Sequence, residues 1–201
     1  MRKMTRQLKT LIPDWLRRPA ARADQPLTPQ LLTPQQRWSL ATGAQLTNLN
    51  GGSHGSLNPE PGADRAEWLS GLARWWGVET REELQDRLEV LETTGHRAAL
   101  RGVLGHEPLA WDLVRAINLA RWGHGAGLLS EEEAWGFVLR AAGGLRRRYR
   151  SWAELGGDYV LAHDLWAGEA DPALDEVTRQ LLDPANGDSP WQRLRWEAFD
   201  G

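Results

Sequence analysis

From position 111 the chain reads Trp111–Asp112–Leu113–Val114–Arg115–Ala116–Ile117–Asn118–Leu119–Ala120–Arg121–Trp122. At helical pitch Trp111, Arg115, Asn118 and Trp122 share one face, while Leu113, Ala116, Ile117 and Ala120 form another, apolar one. Such a helix is expected to be central, with Asp112 and Arg115 partly buried, where an unpaired charge is costly and a satisfied pair tolerable. Two readings stand open. One is a structural ion pair three residues apart, bonded to indole N–H groups or loop carbonyls; the other is a cleft that binds a ligand or substrate. Gly95–His96–Arg97 adds a second candidate, because His96 suits a general base or a metal ligand as well as a capping role. No His-x-x-x-His pair or Glu-flanked zinc helix joins it to His54, His106, His124 or His163. Arg97 has Glu83, Asp112 and Asp158 as possible partners. Asp158, His163 and Asp164 invite a metal or paired-carboxylate reading, which their helical phases disfavour. The candidate polar cluster is therefore His96, Arg97, Asp112, Arg115, Asn118 and Asp158, with no catalytic residue, metal ligand or cofactor assigned.

Other chemistries are excluded more directly. The chain has no Cys, which removes disulfides, thiolate nucleophiles and Cys-based metal sites. No Ser sits in a nucleophile elbow, and Lys occurs only at Lys3 and Lys9. Asn50–Gly51–Gly52–Ser53–His54–Gly55–Ser56 lacks the spacing and the Lys–Ser/Thr pair of a phosphate loop and reads as a flexible connector. The glycines of Trp122–Gly123–His124–Gly125–Ala126–Gly127 read as a helix end turning towards Ser130, with His124 exposed.

The elements that must position these groups are all helices. Thr33–Gln36, Thr80–Glu83, Ser130–Glu133 and Ser151–Glu154 each place a capping hydroxyl three residues before Glu or Gln. Apolar positions follow at helical period: Leu84, Leu88 and Leu91; Trp135, Val138, Leu139, Ala142 and Leu145; Leu155, Tyr159, Ala162 and Trp166. Asp171–Pro172 opens a further helix with Leu174, Val177 and Leu181 inward, closed by Pro184. Strand-like alternation is scarce, so the fold class is all-α, with helices expected at 34–48, 64–77, 80–94, 108–122, 130–149, 151–167 and 172–183. Twelve Trp stand against two Phe and two Tyr in 201 residues. Nine of them recur along these helices or at their ends, so indoles are expected to pin the helices together while polar side chains satisfy their N–H edges.

At 22.6 kDa one compact multi-helix domain rich in buried Trp is the expected organisation, over residues 33–201. It is preceded by a basic segment and Pro-rich linker over residues 1–32. Residues 1–22 carry Arg2, Lys3, Arg6, Lys9, Arg17, Arg18 and Arg22 against Asp14, a net +6, which leaves −9 elsewhere. An acidic body argues against nucleic acid as a partner. Met4, Leu8, Leu11, Trp15 and Leu16 give residues 1–18 an amphipathic pattern suited to a membrane surface or a docking partner, though Pro13 limits any helix there. With no span-length apolar run and no signal-peptide pattern, a cytoplasmic location is expected.

Taken in order, Gln36–Arg37–Trp38, Trp76–Gly77–Val78, Gly95–His96–Arg97, Ala110–Trp111–Asp112 with Arg115, Glu133–Ala134–Trp135 and Ser151–Trp152 resemble the bacterial family catalogued as Domain of Unknown Function 1266, that of the Escherichia YbeU and YbeR proteins. The resemblance runs from about Gln36 to Trp166, and further if Trp191 and Trp196 belong to it. It implies a helical domain built around Trp–Asp and Gly–His–Arg signatures and assigns no activity. Three functional readings follow from the residues. The first, which leans away from an enzyme, is a non-catalytic interaction or accessory domain, of immunity type in one form, using Trp and Arg as anchors for a protein partner. The second is an enzyme or small-ligand binder using an Asp112/Arg115/Asn118/His96 cleft. The third is a peripheral membrane protein docking through residues 1–18.

Overall fold

The structure is a computed structural model that describes residues 32–59 and 63–200; the basic segment and linker expected before Leu32 lie outside these residues. Ten α-helices follow in order: α1 Pro34–Thr42, α2 Ala44–Leu49, α3 Arg65–Trp76, α4 Arg81–Thr93, α5 Arg97–Leu104, α6 Leu109–Gly125, α7 Glu131–Arg148, α8 Trp152–Ala167, α9 Pro172–Leu182 and α10 Pro190–Arg193. A 3₁₀ turn at Trp196–Asp200 closes the chain, and among the described residues there is no strand. The all-α expectation holds.

The start signals work as hydrogen bonds. Thr33, Thr80 and Ser130 each accept from the third residue of their helix, whose Gln or Glu reaches back to the cap backbone. At α8 the box is half formed: Ser151 accepts from Glu154 N–H, but Glu154 Oε2 takes the N–H of Arg150 at 2.8 Å instead.

Helix α6 is the axis. Twelve of its 17 residues are buried, so it has no solvent face of any width, and α2, α3, α4, α5, α7 and α8 all pack on it. Close approach relies on missing Cβ atoms. One built at Gly123 of α6 would stand 2.3 Å from Leu84 Cδ2 of α4, and one at Gly144 of α7 would stand 2.8 Å from Leu113 Cδ1.

Three departures from the sequence reading have local causes. The helix expected over 34–48 is two, broken at Gly43, whose carbonyl accepts from Asn118 Nδ2 at 3.2 Å and whose Cα leaves no room for a side chain beside that amide. Helix α5 was not expected, because its N-cap His96 makes no side-chain cap. The third concerns the segment after Pro184. There Trp191 Nε1 donates to Ala41 O at 2.7 Å, Trp38 Nε1 to Trp196 O at 3.0 Å, Trp152 Nε1 to Leu194 O at 2.7 Å and Trp196 Nε1 to Tyr149 O at 3.2 Å. Backbone carbonyls, rather than the polar side chains expected, satisfy these indoles, and together they strap the C-terminal segment across α1 and the start of α8.

Candidate functional site

The polar cluster starts from two helix ends that meet. Helix α4 ends with carbonyls that have no partner within the helix, and α5 begins after a three-residue turn with N–H groups in the same position. Gly95 turns the chain between them at φ +58°, a conformation that suits glycine, and a Cβ there would stand 1.9 Å from Asp112 Oδ2. The Asp112 carboxylate, from α6, accepts the N–H of His96 on Oδ1 and that of Arg97 on Oδ2, both at 2.9 Å, and so caps α5 from another helix. Arg97 Nη1 donates to Asp112 Oδ2 at 3.1 Å, and the same guanidinium takes the carbonyls of Leu91, Glu92 and Thr93 at the end of α4. One buried pair thus satisfies both ends.

Asp112 is fully buried, with its side chain at 0% exposure. Burial pushes its carboxyl up, but the His96 imidazole, the backbone N–H groups of His96 and Arg97, and the Arg115 charge outweigh this and hold it below the usual carboxylate range. The principal partner of Asp112 is therefore Arg97, not the Arg115 three residues along, whose Nη1 stays 3.7 Å from Oδ1.

Arg115 lies instead among rings. Its Cζ is 4.4 Å from the Trp111 ring centroid and 5.2 Å from that of Trp76, and its side chain is only 12% exposed. Burial lowers its pKa; Tyr159 and Asp112 pull it back up, and Arg87 lowers it further. His96, at 44% exposure, stands at the rim with Nδ1 3.5 Å from Arg115 Nη1. Trp111 packs against Tyr159, His163 and Trp166 at centroid distances of 5.6, 5.9 and 5.3 Å. Trp122 continues the group on Trp76 at 6.4 Å. The Trp111 Nε1–H is buried and has no hydrogen-bond partner among the described residues.

The other candidates go elsewhere. Asn118 points to the α1–α2 break, with Nδ2 on Val114 O and Gly43 O and Oδ1 3.2 Å from Thr47 Oγ1. Asp158 accepts the Tyr149 hydroxyl and stands 2.7 Å from His106 Nε2, raising the His106 pKa. Tyr149 Oη in turn accepts the N–H of Ala110 at 2.8 Å, in the first turn of α6. His124, expected to be exposed, is half-buried with Nδ1 3.3 Å from Leu129 O. His163 Nδ1 is 3.1 Å from Asp164 Oδ1. Among the described residues no three or more His, Asp or Glu side chains gather as a metal-binding group.

Arg121 is the residue that sequence reasoning missed. Fully buried, it donates to the carbonyls of Ser53, Ser56 and Leu57 and to Thr47 Oγ1. The Gly-rich loop expected to be a plain connector is thus wound around a guanidinium. Burial pushes the Arg121 pKa down to about 9. His54, in the same loop, is brought down to about 4 by burial and by the Arg121 charge. The signal was faint, since an Arg in the last turns of a helix ordinarily complements the helix dipole.

Residues 99–196 match the family described as "Protein of unknown function (DUF1266)". Over that span the resemblance to the DUF1266 family is borne out. No curated protein and no solved structure matches the chain. The matched span starts later than the resemblance read from Gln36 and reaches Trp191 and Trp196. Within it lie Trp111, Asp112, Arg115, Asn118, Arg121, Trp122, Asp158 and Trp166; Trp76, Gly95, His96 and Arg97 precede it. The family match fixes no activity. Among the described residues no helix is long and apolar enough to cross a membrane.

Proposed function

We propose that this domain is a non-catalytic recognition module that takes up an anionic group at Arg115. One observation carries the reading: a largely buried guanidinium, set against two indoles, whose nearest carboxylate is already bound by Arg97 and two backbone N–H groups. A buried cation ordinarily has a counter-ion of its own. Here Arg97, with Glu107 Oε2 3.8 Å from its Nε, binds Asp112 directly while Arg115 stays 3.7 Å from it, and the charge of Arg87 adds to the field. An incoming carboxylate or phosphate would complete the balance and meet the N–H edge of the guanidinium with charge-assisted hydrogen bonds. A protein partner supplies such a group as an Asp, a Glu or a chain terminus; a metabolite supplies it as a free acid. The surface-anchor reading of tryptophan is thereby narrowed. Seven of the eleven described tryptophans are buried, and of the four half-buried ones Trp76, Trp122 and Trp166 gather at this site.

The test is a titration with acetate and with inorganic phosphate at constant ionic strength, followed by the indole N–H resonances. Shifts confined to Trp76, Trp111, Trp122 and Trp166, and abolished in Arg115→Gln, support the reading. Titrations that move none of these resonances, or that move them equally in Arg115→Gln, overturn it.

A further inference from the structure

The rings around Arg115 form a continuous series, Trp166–Trp111–Arg115–Trp76–Trp122, with successive separations of 5.3, 4.4, 5.2 and 6.4 Å. The series narrows the choice of anion. We infer that the occupant is a carboxylate borne on a flat apolar body, its carboxylate on the Arg115 N–H edge and its body against the indoles that reach the surface; this rests on the anion reading above.

The apolar border of the charge favours such a group over a bare tetrahedral anion, and an unpaired donor favours an anion over a cation. Guanidinium donors lie in one plane and meet two oxygens of a carboxylate or of a phosphate in parallel, so the choice between them falls to the surroundings. Trp76, Trp122 and Trp166 are each half-buried, so the charge is bordered by apolar surface that inorganic phosphate would leave uncovered while giving up its own hydration. A flat ring covers that surface and gains ring–ring contact beyond the area it buries. Finally, the buried group beside Arg115 that lacks a partner is a donor. The Trp111 Nε1–H is unpaired among the described residues. A carboxylate offers both oxygens to such a donor, whereas an ammonium or guanidinium cation has nothing to accept with.

Calorimetric titration of the full chain with benzoate, acetate and inorganic phosphate at constant ionic strength tests this. Benzoate is expected to bind at least about tenfold more tightly than either other anion. In Trp122→Leu or Trp166→Leu that preference should fall towards parity. Unmoved indole resonances of Trp38, Trp152, Trp191 and Trp196 show that each variant keeps its fold. Acetate or phosphate binding as tightly as benzoate, or a preference surviving both Trp substitutions, overturns the flat-carboxylate inference and leaves the anion reading standing. Absence of Arg115-dependent binding by any of the three overturns both.

Discussion

Asp112 illustrates how one side chain can belong to three elements. It sits on α6, caps α5 and holds the arginine that caps α4. Removing it strands Arg97 in a buried position and leaves two N–H groups unpaired, so Asp112→Ala should cost about 3–5 kcal/mol of stability at neutral pH, measured by urea unfolding. Asp112→Asn, which keeps an acceptor, should cost less. The pH dependence follows from the lowered folded-state pKa of Asp112. A depressed carboxylate contributes stability fully above its unfolded pKa, about 3.9, and loses it as pH falls through the folded value. The gap between wild type and Asp112→Ala should therefore narrow below about pH 4; a constant gap would mean that Asp112 carries no such charge. The sequence showed which residues would be polar and buried here, but not their pairing. Asp112 and Arg115 share a helix three residues apart, whereas the partner that wins, Arg97, arrives through a turn whose geometry no pattern records. Asn118 joined the list through the helical face it shares with Arg115, and Asp158 as a candidate partner of Arg97; each serves a different packing contact instead.

At the scale of elements, what was legible followed local rules. Capping hydroxyls located the starts of α1, α4, α7 and α8, and apolar periods located their inner faces. What was not legible depended on groups supplied from elsewhere: α5 takes its cap from α6, and the break between α1 and α2 answers to Asn118. Neighbouring glycines in α8 make the point testable, since the sequence cannot tell them apart. A Cβ at Gly156 would stand 2.8 Å from the Trp191 ring, while at Gly157 there is nothing within 4 Å. Gly156→Ala should destabilise by about 1–3 kcal/mol through overpacking. Gly157→Ala should stabilise by about 0.5–1 kcal/mol by removing a helix-interior glycine. Thermal melts of the two variants moving in the same direction would mean that the Trp191 contact does not restrain α8.

For the whole molecule, the matched family span and the folding unit do not coincide. Residues 99–196 contain α6, but several of the polar groups buried on that helix find their partners earlier in the chain. Asp112 is held by His96 and Arg97, Asn118 by Gly43, and Arg121 by Thr47 and the carbonyls of Ser53, Ser56 and Leu57. Two C-terminal contacts cross in the same way, from Trp191 to Ala41 and from Trp38 to Trp196. Cutting the chain before residue 99 would strip Asp112 of the Arg97 guanidinium and both backbone N–H groups, Arg121 of Thr47 and three carbonyls, and Asn118 of Gly43 and Thr47, a loss of several kcal/mol for each charged group that stays buried. That exceeds what a domain with a total stability of about 5–15 kcal/mol can lose. We therefore expect residues 99–196 alone to show helical far-UV circular dichroism without a near-UV tryptophan signal or a cooperative melt. Residues 32–201 should unfold in one transition, with fluorescence and circular dichroism coincident. A cooperative melt of 99–196 alone would show instead that α6 can find other partners for its buried charges, and that the helices before it are an addition to a self-sufficient core.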